Sequence, residues 1–146
     1  YQVSSLKVSP KEKLLAYGED TISRRIYDIR FKDIKTGELL SDILSGASGS
    51  IEWGNDNKTV YYIKKDPQTL LGYQVFRHTL GTPQATDEMV YEESNKSYYT
   101  GLSKSKDGSS VFIWHSSTEA SGVSVIDADN AKAMPKTAPA FSPARL

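Results

Sequence analysis

Cysteine is absent from all 146 residues. That excludes disulfides, thiolate zinc sites and a cysteine nucleophile, and it fits a reducing compartment, so a cytoplasmic location is expected. An excess of charge of one sign is missing as well: 18 basic residues balance 18 acidic ones. Without a basic surplus no global field draws the chain to nucleic acid or to an anionic membrane, and neither is expected as a partner. No apolar run approaches membrane-spanning length, and the first residues, YQVSSLKVSP, lack the apolar core of a signal peptide. Helical periodicity is scarce throughout.

The chain is 38% hydrophobic and 25% charged, the profile of a soluble domain with enough apolar surface for a core. Its nine tyrosines, without a basic surplus, read as strand residues rather than base-stacking platforms. It begins at Tyr1 rather than Met and ends on PKTAPAFSPARL with no closing element, so a fragment of something larger is expected.

Alternating strand-like segments punctuated by Gly, Asn, Asp and Pro recur along the chain. VSPKEKLLAY (Val8 to Tyr17), WGNDNKTVYY (Trp53 to Tyr62) and KSKDGSSVFI (Lys104 to Ile113) each carry a polar turn and then four mostly apolar or aromatic residues. Their starts lie 45 residues (53 − 8) and 51 residues (104 − 53) apart. IYDIRFKDIKTGE, YQVFRHTLGTP and SGVSVIDADNA repeat in turn, each a strand running into a turn; Gly37 and Gly81 are suited there to positive φ. A further short strand is expected around Leu39 to Leu44 and Glu88 to Tyr91. Four short antiparallel strands in roughly 40–50 residues is the spacing of a β-propeller blade. A β-sandwich also has many short strands but gives no reason for a near-constant interval. The fold class expected is all-β: a partial β-propeller of about three four-stranded antiparallel blades, with repeats at about 1–45, 46–95 and 96–140. Three blades leave two blade faces open, where self-association is expected.

Catalytic signatures are few. Gly46-Ala47-Ser48-Gly49-Ser50 approaches a G-x-S-x-G elbow but ends in Ser and reads as a flexible loop before a strand. His78 and His115 sit within strand-like segments and read as strand histidines with locally satisfied rings; two so far apart do not make a metal signature. Asp127-Ala128-Asp129-Asn130 begins like a calcium loop, but Ala131 and Ala138 stand where ligands are required, so a strand-ending turn is expected. Asn57-Lys58-Thr59 and Asn95-Lys96-Ser97 match the glycosylation pattern and read as turns. Glu19-Asp20, Asp87-Glu88 and Glu92-Glu93 read as charged turns or strand edges. No catalytic set, metal site or cofactor site is expected.

Several motifs nevertheless come in order with compatible gaps: Glu19-Asp20, Ser23-Arg24-Arg25, Tyr27, Ile29-Arg30-Phe31 and Thr36-Gly37, then Tyr73-Gln74-Val75, Arg77-His78, Leu80-Gly81-Thr82-Pro83, Asp87 and Val90-Tyr91-Glu92-Glu93. From about Val8 to Asp129 the chain resembles the N-terminal part of oligopeptidase B (protease II), in the prolyl oligopeptidase family of serine peptidases. The resemblance implies a seven-bladed propeller in the parent, paired with an α/β-hydrolase domain that carries a Ser-Asp-His triad and cuts short peptides after basic residues. The propeller then serves as a lid and filter. The triad and its hydrolase domain have no counterpart in these residues, so the chain is expected to be inactive alone. Its implied partners are the hydrolase domain and, in the parent, short basic peptides. Arg24 and Arg25 are the candidate contacts with that domain or with peptide, because the guanidinium fork presents five donors to a carboxylate. The alternative is a propeller-type protein-interaction scaffold unrelated to catalysis. A downstream G-x-S-x-G with later Asp and His separates the two.

Overall fold

The computed structural model describes residues 2–20, 26–56, 58–65, 72–92, 99–106, 108–116, 121–130 and 132–137. Within them are eleven strands: β1 (Gln2–Val8), β2 (Leu14–Asp20), β3 (Tyr27–Asp33), β4 (Leu39–Trp53), β5 (Thr59–Lys65), β6 (Gly72–Thr79), β7 (Glu88–Glu92), β8 (Tyr99–Lys104), β9 (Ser110–Ser116), β10 (Ser121–Asp127) and β11 (Lys136–Thr137). One 3-10 turn, Gln84–Thr86, precedes β7. Strands β1 to β7 pair in chain order as one antiparallel sheet, and β8 to β11 form a second.

The seven-stranded sheet is two four-stranded units that share one long strand. The first part of β4 pairs with β3 (Leu44 with Ile29, Ile43 with Arg30), and its second part pairs with β5 (Ile51 with Tyr62, Trp53 with Val60). Ala47 has a partner on each side, Tyr27 and Lys64, and the register with β5 breaks between Ala47 and Ile51. This corrects the expected loop at Gly46–Ser50: the segment is strand throughout, and Gly46 at φ 75° supplies the pivot that a side chain would resist. Gly37 and Gly81 take φ of 75° and 89° in the turns after β3 and β6, as their sequence context requires.

Burial patterns show which unit is central. In β2 buried and half-buried residues alternate, because one face packs and the other does not. In β5 the run Thr59, Val60, Tyr61, Tyr62 and Ile63 is buried without a break, so both faces of the second unit are covered. One core joins the first and second units around Ala16, Ile29, Phe31, Leu44, Trp53, Val60 and Tyr62. Another joins the second and third around Tyr61, Ile63, Val75, Val111, Ile113 and Ile126. The structure is therefore three blades stacked face to face. Each large side chain buried between them contributes about 1.5–3 kcal/mol.

Candidate functional site

A propeller segment acts through the surfaces it presents and through how firmly its blades hold together. At the start of the blades, the first strands of successive units lie beside one another, β1 against β4 and β4 against β8. Lys7 Nζ meets Glu52 Oε1 at 3.0 Å, and Trp53 Nε1 donates to the Lys7 carbonyl at 3.0 Å. Between the second and third blades the ties run through Asn55. Its backbone N–H donates to Ala128 O at 2.8 Å, and its Nδ2 donates to Gly108 O at 2.7 Å and Asp129 Oδ1 at 2.8 Å. Its Oδ1 accepts from Lys104 Nζ at 2.7 Å. Burial pushes the Lys104 pKa down, against the opposing pull of Glu52 and Asp129. Lys7, Glu52, Trp53, Asn55 and Lys104 line a groove of about 360 Å³ across the three blades.

At the far side of the first junction lies a buried charge cluster. His78, on β6, faces Asp87 Oδ1 through Nδ1 at 2.6 Å and Asp42 Oδ2 through Nε2 at 2.7 Å. The side chains of His78 and Asp87 are each 1% exposed and that of Asp42 7%. Two ring nitrogens each facing a carboxylate is the geometry of an imidazolium that donates twice. Burial alone pushes the His78 pKa down; hydrogen bonds and charge from Asp87 and Asp42 outweigh it, and the net shift is upward. Tyr62 Oη donates to Asp87 Oδ2 at 2.6 Å, and burial, reinforced by that aspartate, raises the phenol pKa. The Gly81 N–H donates to Asp42 Oδ2 at 2.9 Å, Phe31 stacks on the imidazole, and Gln84 bridges to Ser45. Asp42 belongs to the first blade and His78 to the second, so the cluster is an ionic pin across the junction.

The pin has no catalytic geometry. Both imidazole nitrogens are engaged, which leaves none to take a proton from a nucleophile, and Ser45 Oγ is bonded to Gln84 Oε1 at 3.1 Å. The ring is satisfied, as a strand histidine was expected to be, but one partner stands 36 residues away. Asp87 is not the edge charge its neighbour Glu88 suggested; it is buried in the pin, whereas Glu88 pairs with the buried guanidinium of Arg77, which also donates to the Ala133 carbonyl of the third blade. Asp127 ends β10 in a turn, its carboxylate accepting the Asp129 N–H. His115 lies in β9. Arg24, Arg25, Asn57 and Asn95 lie outside the described residues. Among the described residues no group of three or more His, Asp or Glu is placed to hold a metal ion, and no helix is long and apolar enough to cross a membrane.

Stacked four-stranded antiparallel units, the first sharing its long last strand with the second, define part of a β-propeller. Residues 1–144 match the N-terminal β-propeller domain of prolyl oligopeptidase, and the chain belongs to that peptidase family. It is 45% identical over 121 residues to a dipeptidyl aminopeptidase BI of Pseudoxanthomonas mexicana, covering 83% of this chain and 17% of the relative. It is 32% identical over 130 residues to a protease 2 of Moraxella lacunata, covering 88% and 19%. Oligopeptidase B from Leishmania major superposes with a TM-score of 0.84 at 30% identity, over 92% of this chain and 19% of that one. The chain thus spans about a fifth of the length of these relatives.

Proposed function

We propose that residues 1–146 are a non-catalytic part of the propeller of a serine oligopeptidase that hydrolyses short peptides after Arg or Lys. Here the propeller segment gates access to the α/β-hydrolase domain and docks on it. The observation that carries this reading is the match of nearly the whole chain to the family's propeller domain, in residues whose most histidine-rich chemistry is spent on a structural pin. Docking against the hydrolase excludes water and commits the peptide. Arg24 and Arg25 supply charges that hold the closed state, each offering a guanidinium fork to a carboxylate.

The test uses the longer polypeptide that contains this segment. Arg25→Ala should raise KM for a short Arg-containing reporter peptide while the melting temperature stays unchanged. Unaltered kinetics together with an unaltered melting temperature would remove Arg25 from the interface.

A second reading concerns the substrate end. The relative at 45% identity is a dipeptidyl aminopeptidase, which favours release of dipeptides from a free amino terminus. Matched reporters with free and blocked amino termini separate the two. Preference for the free terminus supports dipeptide release, and indifference supports cleavage within short peptides.

A further inference from the structure

Lys104 breaks the pattern of the repeat. Val8, Trp53 and Lys104 are equivalent positions, each the last residue of the strand that opens its blade. Trp53 reaches back to the preceding blade, where it is buried and its Nε1 donates to the Lys7 carbonyl at 3.0 Å. Lys104 reaches back in the same way but sets an ammonium where the second blade has an indole. Its partner there is a neutral oxygen: Nζ donates to Asn55 Oδ1 at 2.7 Å. The amide is held for that contact, since Asn55 Nδ2 is committed to Gly108 O and Asp129 Oδ1.

An ammonium carries three donors, and among the described residues Lys104 uses one. Glu52 and Asp129 act on it through space, yet burial outweighs both. The Glu52 carboxylate is itself engaged by Lys7 at 3.0 Å. Lys106, exposed two residues further on, brings a second cation to the same groove of about 360 Å³. Neither Lys104 nor Lys106 forms an ion pair among the described residues. The groove takes its walls from all three blades, Pro10 from the first, Asn55 from the second and Gly108 from the third. It is therefore bounded within the segment and not by an open blade face. Its volume is at the small end for ligand pockets, room for one end of a peptide rather than for a folded surface.

From this we infer that the groove is a carboxylate seat for the C-terminal end of a short peptide. Lys104 donates to the carboxylate, Lys106 adds attraction from the rim, and Pro10 flanks the last residue. A carboxylate supplies the half-buried ammonium with the counter-charge that its neutral partner does not, and charge-assisted bonds of this kind are roughly twice as strong as neutral ones. The choice of a peptide as the owner of that carboxylate rests on the peptidase reading above.

Equilibrium binding to the longer polypeptide tests the seat without requiring cleavage. The probes are an acetylated alanine tripeptide ending in a free carboxylate and the same tripeptide ending in a carboxamide, each titrated by calorimetry. The acid should bind about tenfold more tightly than the amide, the scale of one charge-assisted hydrogen bond. Lys104→Met should abolish that difference and Lys104→Arg should keep it. Lys106→Met changes an exposed side chain and should reduce the difference about twofold, which keeps the seat testable where Lys104→Met does not fold. Equal binding of acid and amide to the unaltered protein overturns the inference. So does a preference that survives Lys104→Met or that Lys106→Met leaves intact. Variants that weaken both probes equally also overturn it, because that result assigns the lysines to the blade junction or to a carboxylate of the hydrolase domain. Cleavage of an arginine-containing reporter by the same protein is scored separately: its absence, with the acid preference retained, removes the peptidase reading and leaves the seat.

Discussion

Replacing His78 by Ala isolates the ionic pin. The substitution removes the cation between Asp42 and Asp87 and leaves two nearly buried carboxylates facing each other. Breaking a buried pair by removing one partner costs about 3–5 kcal/mol, and domains are stable by only about 5–15 kcal/mol in total. His78→Ala should therefore unfold at a markedly lower denaturant concentration. The pH dependence gives the sharper signature. The folded pKa of His78 lies above its unfolded value, about 6.5. The folded state then binds the proton more tightly, and the stabilisation is complete below about pH 6.5 and fades as pH rises through the folded pKa. Urea denaturation of the two proteins between pH 6 and pH 9 measures this directly. The unaltered chain should lose stability across the upper part of that range through this residue, and the gap to His78→Ala should narrow. Parallel stability curves for the two proteins would refute the imidazolium assignment. A variant as stable as the parent near pH 6 would refute the pin itself.

Asn55→Ala removes three side-chain hydrogen bonds that join the second blade to the third. It should cost about 2–3 kcal/mol, and amide exchange should rise first in β8 to β10. Trp53→Phe keeps the ring in the first core but loses the bond to the Lys7 carbonyl; a loss of about 1 kcal/mol in thermal or urea unfolding is expected. Gly46→Ala places a side chain at φ 75°, with Lys64 Cε at 3.7 Å from the new Cβ. It should cost about 1–2 kcal/mol by the same measurement, and a neutral result would show that β4 bends elsewhere.

The blade repeat was legible because each copy needs the same local chemistry. A polar turn such as Ser105–Ser110 closes on itself, Gly108 N–H to Ser105 O at 3.0 Å, and an apolar run follows. The continuity of β4 was not legible. Gly46 to Ser50 looks like a linker because small residues serve linkers and tight strand bends alike, and the two are separated only by the simultaneous pairing of Ala47 with Tyr27 and Lys64. The pin was hidden for a different reason. His78 aligns with Lys32 and Ile126 in the other blades' pairing, so the repeat carries no histidine signal. Its partner Asp42 is unremarkable until β4 is folded against β6. Arg77 was visible only as part of a family motif, and its burial against Ala133 comes from the stacking of the third blade.

Gating by the propeller is tested most directly in the longer polypeptide, with one cleavage sequence presented twice: as a short peptide with a basic residue at the cut, and within a folded protein. The unaltered enzyme should cut the peptide and spare the protein. Asn55→Ala, which loosens the junction between the second and third blades, should leave peptide cleavage nearly unchanged and allow the protein to be cut. Equal cleavage of both substrates by the unaltered enzyme would contradict the gating role.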